Sequence, residues 1–233
     1  MPIINLVYEA PREWKPWSNT IWYRPLNWDF NDYSGNNRNL TNSWVTFVSW
    51  WPWQVASFAS WNNAYYQDNS LFDYTSPFTY NVWVNADYIP NWYYNSVHPY
   101  YSIVIWWQNW WNNKEHQSDL WLTLWSKVIW FYGGWTDYMN WWSINTWIWY
   151  NLCFTFDWTN KALYVNWVNV ANETVSLYNP NYTNARITLS KSGTWYQTSP
   201  YQWKMSNVII ENKIWNAQEI SKYYNWTKWN YGL

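Results

Sequence analysis

From Ile21 onward, apolar and polar residues alternate in short runs, and clusters of Asn, Ser, Gly or Trp interrupt every run. Side chains of an extended strand point alternately to its two faces, so each run reads as a strand with one buried face. The runs are 45–48, 55–59, 78–85, 101–105, 120–124, 128–132, 149–156, 162–165, 185–189 and 205–211. Short alternating runs separated by such clusters point to antiparallel pairing in an all-β sandwich rather than to βαβ units. One helix is predicted, near 216–226. Asn216 can cap it, Glu219 follows at capping-box spacing, and Ala217, Ile220 and Tyr224 share a face. Residues 1–17, with Pro2, Pro11 and Pro16, read as an N-terminal arm, and residues 18–233 as one domain without a fixed-period repeat.

The turns between these runs carry an unusual residue. The chain has 30 tryptophans and 5 glycines, where ordinary usage would give roughly 16 glycines. Asn27-Trp28-Asp29, Asn91-Trp92, Asp157-Trp158 and Asn166-Trp167 have the form of Asn-Gly and Asp-Gly turns, in which glycine takes positive φ without steric cost. A gene that uses UGA for glycine, translated with a table in which UGA means tryptophan, produces this pattern. The alternative is a protein that is truly rich in tryptophan. Under the first reading Trp28, Trp44, Trp61, Trp92, Trp158, Trp167 and Trp203 should lie in turns or at strand ends, solvated and in several cases at positive φ. Trp83, Trp121 and Trp149 should be regular strand residues, with Trp83 and Trp149 buried.

Charge and cysteine content narrow the function. With 13 basic and 14 acidic residues the chain offers no electrostatic footprint for nucleic acid. No apolar run is long enough for a membrane-spanning helix, so neither nucleic acid nor membrane insertion is expected. The single cysteine, Cys153, excludes an internal disulfide framework. The opening residues, Met1 to Ala10, lack the basic and apolar regions of a usual secretory signal.

With the turn tryptophans read as glycines, residues 20–36 (TIWYRPLNWDFNDYSGN), 78–85 (FTYNVWVN), 149–170 (WYNLCFTFDWTNKALYVNWVNV) and 208–224 (VIIENKIWNAQEISKYY) resemble, in order, motifs of laminin-G-like domains in the concanavalin A-like lectin/glucanase superfamily. The resemblance covers about residues 18–233 and implies a two-sheet antiparallel jelly-roll sandwich with one short C-terminal helix. The family includes sugar-binding, adhesive, structural and some hydrolytic members, so the fold does not choose among these functions.

Three strands each pair an apolar set with a face that mixes tryptophan and small polar residues. In the first, Asn81, Trp83 and Asn85 oppose Tyr80, Val82 and Val84. In the second, Trp121 and Thr123 oppose Leu120, Leu122 and Leu124. In the third, Trp149 and Asn151 oppose Tyr150, Leu152 and Phe154. Sugars need such a face: a ring stacks on an aromatic and hydroxyls bond to Asn or Thr. Asn81, Trp83, Asn85, Trp121, Thr123, Trp149 and Asn151 are therefore the candidate ligand-binding residues. The competing reading makes the tryptophans packing residues under loops or in a second core. Trp83 and Trp149 match positions that the resembled family commonly fills with tryptophan, which favours packing for that pair.

Asp29, Asn31 and Asp32, beside Ser34 and Gly35, place hard oxygen donors at nearly alternating positions, a pattern that suits Ca²⁺. Some laminin-G-like relatives bind calcium, and the resemblance adds weight to Ca²⁺ here. The alternative is an Asx-turn, with the carboxylates bonded to nearby N–H groups.

No catalytic constellation is apparent. Laminarinase-like relatives carry Glu-x-Asp-x-x-Glu on one strand, since retaining glycosidases need two carboxyls about 5–5.5 Å apart. Glu9, Glu13, Glu115, Glu173, Glu211 and Glu219 show no such spacing. The expected function is a non-catalytic module that binds a glycan or surface polymer. A structural or adhesive component of a virus particle or surface appendage, with other particle or surface proteins as partners, is the alternative. Either role is extracellular, at a cell surface or on a virion.

Overall fold

The computed structural model describes residues 18–50, 53–59, 62–67, 77–88, 101–106, 118–122, 127–131, 138–157, 159–174, 186–189 and 202–233. The proposed arm, residues 1–17, lies outside them. The strands are β1 (Thr20–Arg24), β2 (Thr41–Ser43), β3 (Thr46–Trp50), β4 (Trp53–Phe58), β5 (Asn63–Gln67), β6 (Phe78–Tyr88), β7 (Tyr101–Trp106) and β8 (Ser118–Leu122). They continue with β9 (Lys127–Phe131), β10 (Tyr138–Ser143), β11 (Trp149–Phe156), β12 (Asn160–Val165), β13 (Val168–Thr174), β14 (Arg186–Leu189) and β15 (Gln202–Glu211). Helix α1 (Ala217–Thr227) follows, running into a 3₁₀ turn, Lys228–Tyr231.

The strands form two antiparallel sheets. The first has the order β13-β12-β11-β6-β15-β4-β3, with β1 also pairing with β15; the second runs β10-β9-β8-β7-β14-β5-β2. The main core lies between them: Phe58, Val82, Leu152 and Phe154 of the first sheet share one buried cluster with Ala64 and Leu189 of the second. This is the antiparallel sandwich that the alternation implied, with the jelly-roll form and one C-terminal helix that the resemblance implied. Of the thirteen core residues that strand parity selects, the side chains of Leu122 and Ile187 are outside the described set. Phe58, Val82, Val84, Leu152, Phe154, Phe156, Leu163, Val165, Leu189, Val208 and Ile210 are all buried.

The alternation reading passed over β1, β2, β5, β10 and β13. In β13, Val168-Asn-Val-Ala-Asn-Glu-Thr174, almost every residue is solvated, so this edge strand has no buried face to produce a strong pattern.

A second, smaller core lies on the outer side of the first sheet. Asn216 caps α1, accepting from the N–H groups of Gln218 (2.9 Å) and Glu219 (3.0 Å). Glu219 accepts from the Asn216 N–H at 2.9 Å, which completes the capping box. The helix buries Ile220, Tyr223 and Tyr224 against Trp83, Trp149 and Ile209 of the sheet. Strand β15 serves both cores through a bulge. Its register with β6 shifts between Ser206 and Ile209, where Asn207 takes φ 50°. Before the bulge Trp203 and Met205 face the main core; after it Val208 and Ile210 do.

Candidate ligand-binding site

The mixed face identified from the sequence exists, but most of it is covered. Asn81, Trp83, Asn85, Trp149 and Asn151 are all buried. The indole N–H of Trp83 donates to Thr227 Oγ1 of α1 at 3.1 Å, and its ring stacks on Tyr224 with centroids 5.6 Å apart. The correction is that Trp83 and Trp149 belong to a second core and that, with Asn81 and Asn151 buried beside them, they offer no open platform. The helix that covers them lies far along the chain and fills the place assigned to a ligand. The side chain of Trp121 is outside the described set, although its backbone pairs with Ser102 and Ile129; Thr123 lies outside the described residues altogether.

At one end of the outer face polar residues adjoin the second core. Asn85 is the register partner of both Trp149 on β11 and Lys204 on β15. Same-register neighbours share a face, which sets an indole, an amide and an ammonium side by side. Among the described residues, the amides of Asn81 and Asn151 are buried without a hydrogen-bond partner, and so are the amide nitrogen and oxygen of Asn85 and the indole nitrogen of Trp149. Beside them Lys204 Nζ forms an ion pair with Asp87. It also lies 5.1 Å from the Trp147 ring centroid and 5.8 Å from that of Trp50. Trp50 meets Trp149 edge-on at 5.4 Å. Within one small area the protein thus gathers a cation, a carboxylate, an amide with unused capacity and several aromatic faces. Such a set orients a hydroxyl-rich ligand: rings contact the rings, and the polar groups meet hydroxyls. Alternation on β6 and β11 identified Asn85 and Trp149; Lys204, Asp87, Trp147 and Trp50 were missed, because only the pairing of β15 and β3 with their neighbours brings them there.

The acidic loop is tied up internally. Asp32 Oδ1 accepts from the N–H groups of Tyr23 (3.2 Å) and Ser34 (3.0 Å), and Oδ2 from that of Arg38 (3.0 Å). Asp29 accepts from the Asn31 backbone N–H at 2.9 Å and from the Tyr33 hydroxyl at 3.0 Å, while Asn31 donates its side-chain amide to Asp29. The Asp29–Asn31 and Asp32–Ser34 backbone contacts are Asx-turns, and the Tyr23 and Arg38 bonds brace Asp32 from further along the chain. Burial pulls Arg24 down to about 9, against the upward pull of Asp32 and Asp29, and this leaves it a cation at neutral pH that donates to the Phe30 carbonyl. Among the described residues no group of three or more His, Cys, Asp or Glu is placed to hold a metal ion. Ca²⁺ at Asp29, Asn31 and Asp32 rests on the sequence pattern and the resemblance alone.

The turn tryptophans divide. Trp44 and Trp167 have φ of 67° and 68° and stand 82% and 48% exposed. Trp28 is exposed in a bend. Trp203 departs from the expectation: it is 1% exposed in β15, within the main core. Trp61, Trp92 and Trp158 lie outside the described residues.

No family model and no curated protein matches this sequence. Solved structures match the fold. The binding domain of Paraclostridial Mosquitocidal Protein 1 aligns at 18% identity with a TM-score of 0.68, over 89% of this chain and 52% of that one. The botulinum neurotoxin serotype G binding domain aligns at 16% identity and a TM-score of 0.63, over 88% and 50%. The binding domain of botulinum neurotoxin DC in complex with SialylT aligns at 13% identity and a TM-score of 0.67, over 89% and 51%. The chain therefore spans about half the length of each, and what it shares with them is the β-rich sandwich architecture.

Proposed function

We propose that this chain is a non-catalytic binding module that recognises a glycan or another exposed polymer at a cell or particle surface. The binding surface is the end of the outer face where the Lys204–Asp87 pair stands beside the buried Asn85 and Trp149. What carries this reading is the position of the buried Asn85 amide, which like those of Asn81 and Asn151 has no hydrogen-bond partner among the described residues, beside the Lys204–Asp87 pair. A buried amide that meets no protein group is stabilised by a ligand or water that does. The structures that share the fold are binding domains, one of them solved with a sugar-named ligand, which agrees with this reading. No step of bond making is assigned to the site: the Asp87 carboxylate is neutralised by Lys204, and Glu211 is enclosed by Trp215 and Thr20.

Within the sandwich fold we assign the chain to the laminin-G-like branch of the concanavalin A-like superfamily. In support, the four resembling segments fall on β1 with its acidic loop, on β6, on β11 to β13, and on β15 with α1, and these strands are neighbours in one sheet.

A glycan array probed with the purified chain tests the function. Binding to a defined sugar class is expected, and Lys204→Ala should weaken it about tenfold, the loss of one charge-assisted contact, with an unchanged far-UV spectrum. Equal binding by Lys204→Ala, or no binding to any glycan or surface polymer, would remove this reading.

A further inference from the structure

Among the described residues, three tryptophans stand on backbone that suits glycine. Trp44, Trp147 and Trp167 have φ of 67°, 65° and 68°. In that left-handed region a Cβ crowds the following carbonyl oxygen, and the residues that tolerate it have short polar side chains able to bond locally. The other described non-glycine residues there are Asn37, Asn166, Asn207 and Leu26, so asparagine is present as expected and tryptophan has no such excuse. Burial gives no compensation, since the three rings stand 82%, 65% and 48% exposed.

Each position has its own local reason for the left-handed turn. Val165 pairs with Val168, leaving Asn166-Trp167 as a two-residue hairpin loop. Both central residues have positive φ, 49° and 68°, which is the type I′ turn whose usual sequence is Asn-Gly. Between β2 and β3, Asn42 closes the chain around residue 44, accepting from the Val45 N–H at 2.9 Å and donating to the Val45 carbonyl at 3.0 Å. Ahead of β11, the N–H of residue 147 donates to the Ala86 carbonyl at 2.8 Å, so the turn lies directly against β6. Trp83 and Trp149 differ in every respect: both lie in paired strands, buried, against Tyr231 at 4.0 and 4.7 Å between ring centroids.

We infer that residues 44, 147 and 167 of the native protein are glycine, encoded by UGA codons that its source organism reads as glycine, whereas Trp83 and Trp149 are true tryptophans. The inference rests on backbone geometry and stands apart from the binding reading, with one consequence for it. Residue 147 lies over Lys204, and a glycine there removes one of the two indoles that cover the ammonium, exposing the Lys204–Asp87 pair to a ligand.

The test is peptide mass spectrometry of the protein isolated from its own host. Glycine at 44, 147 and 167 with tryptophan at 83 and 149 is expected; tryptophan at all five overturns the inference. A second measurement uses recombinant chains. Combined Trp44→Gly, Trp147→Gly and Trp167→Gly should raise the melting temperature by about 2–4 °C per site, or convert an insoluble chain to a soluble one, while Trp83→Gly should lower it. A triple variant that melts at the same or a lower temperature would overturn the geometric argument. Failure to bind glycans would count only against the binding reading, because neither mass nor melting depends on a ligand.

Discussion

The ring of Tyr231 lies nearly parallel to that of Trp83, with centroids 4.0 Å apart and planes inclined by 20°. The Tyr231 hydroxyl accepts from Asn207 Nδ2 at 2.7 Å. The chain's last turn is thereby fastened to the middle of the first sheet and to its bulge. Tyr231→Ala should destabilise by about 3–5 kcal/mol, the range for removing a large buried ring. Urea denaturation with an unchanged m-value checks this; a loss below 1 kcal/mol would mean that the stack contributes no more than a surface contact.

Glu211 is a buried carboxyl whose proton affinity burial raises above the ordinary 4.5, against the lowering effect of hydrogen bonds from Trp215 and Thr20 and of nearby Lys213. A raised acid favours the protonated folded state. Its contribution is complete below about pH 4.5 and is lost as pH rises through the folded value. Glu211→Gln keeps one acceptor for Trp215 and should flatten this slope. Chemical denaturation across pH 4 to 8 measures it, and parallel profiles for variant and parent would show that Glu211 does not supply the dependence.

Asp32 accepts three backbone N–H groups. Asp32→Ala should lower stability by about 2–4 kcal/mol through unsatisfied donors around a partly closed loop. Melting in millimolar calcium against EDTA separates the two readings of this loop. The hydrogen-bond arrangement predicts equal melting temperatures for the parent chain, whereas a calcium-dependent rise abolished by Asp32→Ala would establish an ion there.

Asn216→Ala removes the acceptor for two helix N–H groups and should cost about 1 kcal/mol. Thermal denaturation followed at a helix-sensitive wavelength reads it. The effect should be local, with the sheet's own unfolding transition still cooperative.

Local rules carried the sequence reading a long way. The capping box at Asn216 and Glu219 lies within four residues, and strand parity needs only five, so both the helix start and the main core were legible. What covers the opposite face of β6 was not. Nothing near Trp83 in the chain indicates that Thr227 and Tyr231 will close over it, and a face mixing tryptophan with asparagine looks the same whether a sugar or a helix lies upon it. Trp203 shows the complementary error. Gln202-Trp203-Lys204 resembles a turn by composition, yet its pairing with Phe58 and Ala86 makes it a core residue in an extended strand. Lys204 and Asp87 are 117 positions apart and could be joined only by the fold.

The bulge at Asn207 divides β15 into two segments of opposite phase. Were Asn207 instead kept in regular, unbulged pairing, the two-residue period of a strand would rotate everything beyond it by half a turn. Val208 and Ile210 would then face α1, and Ile209 would face the second sheet. The bulge therefore decides which of two cores receives the strand's last three apolar side chains, and deleting Asn207 would leave Val208, Ile209 and Ile210 on their present faces in an ordinary ladder.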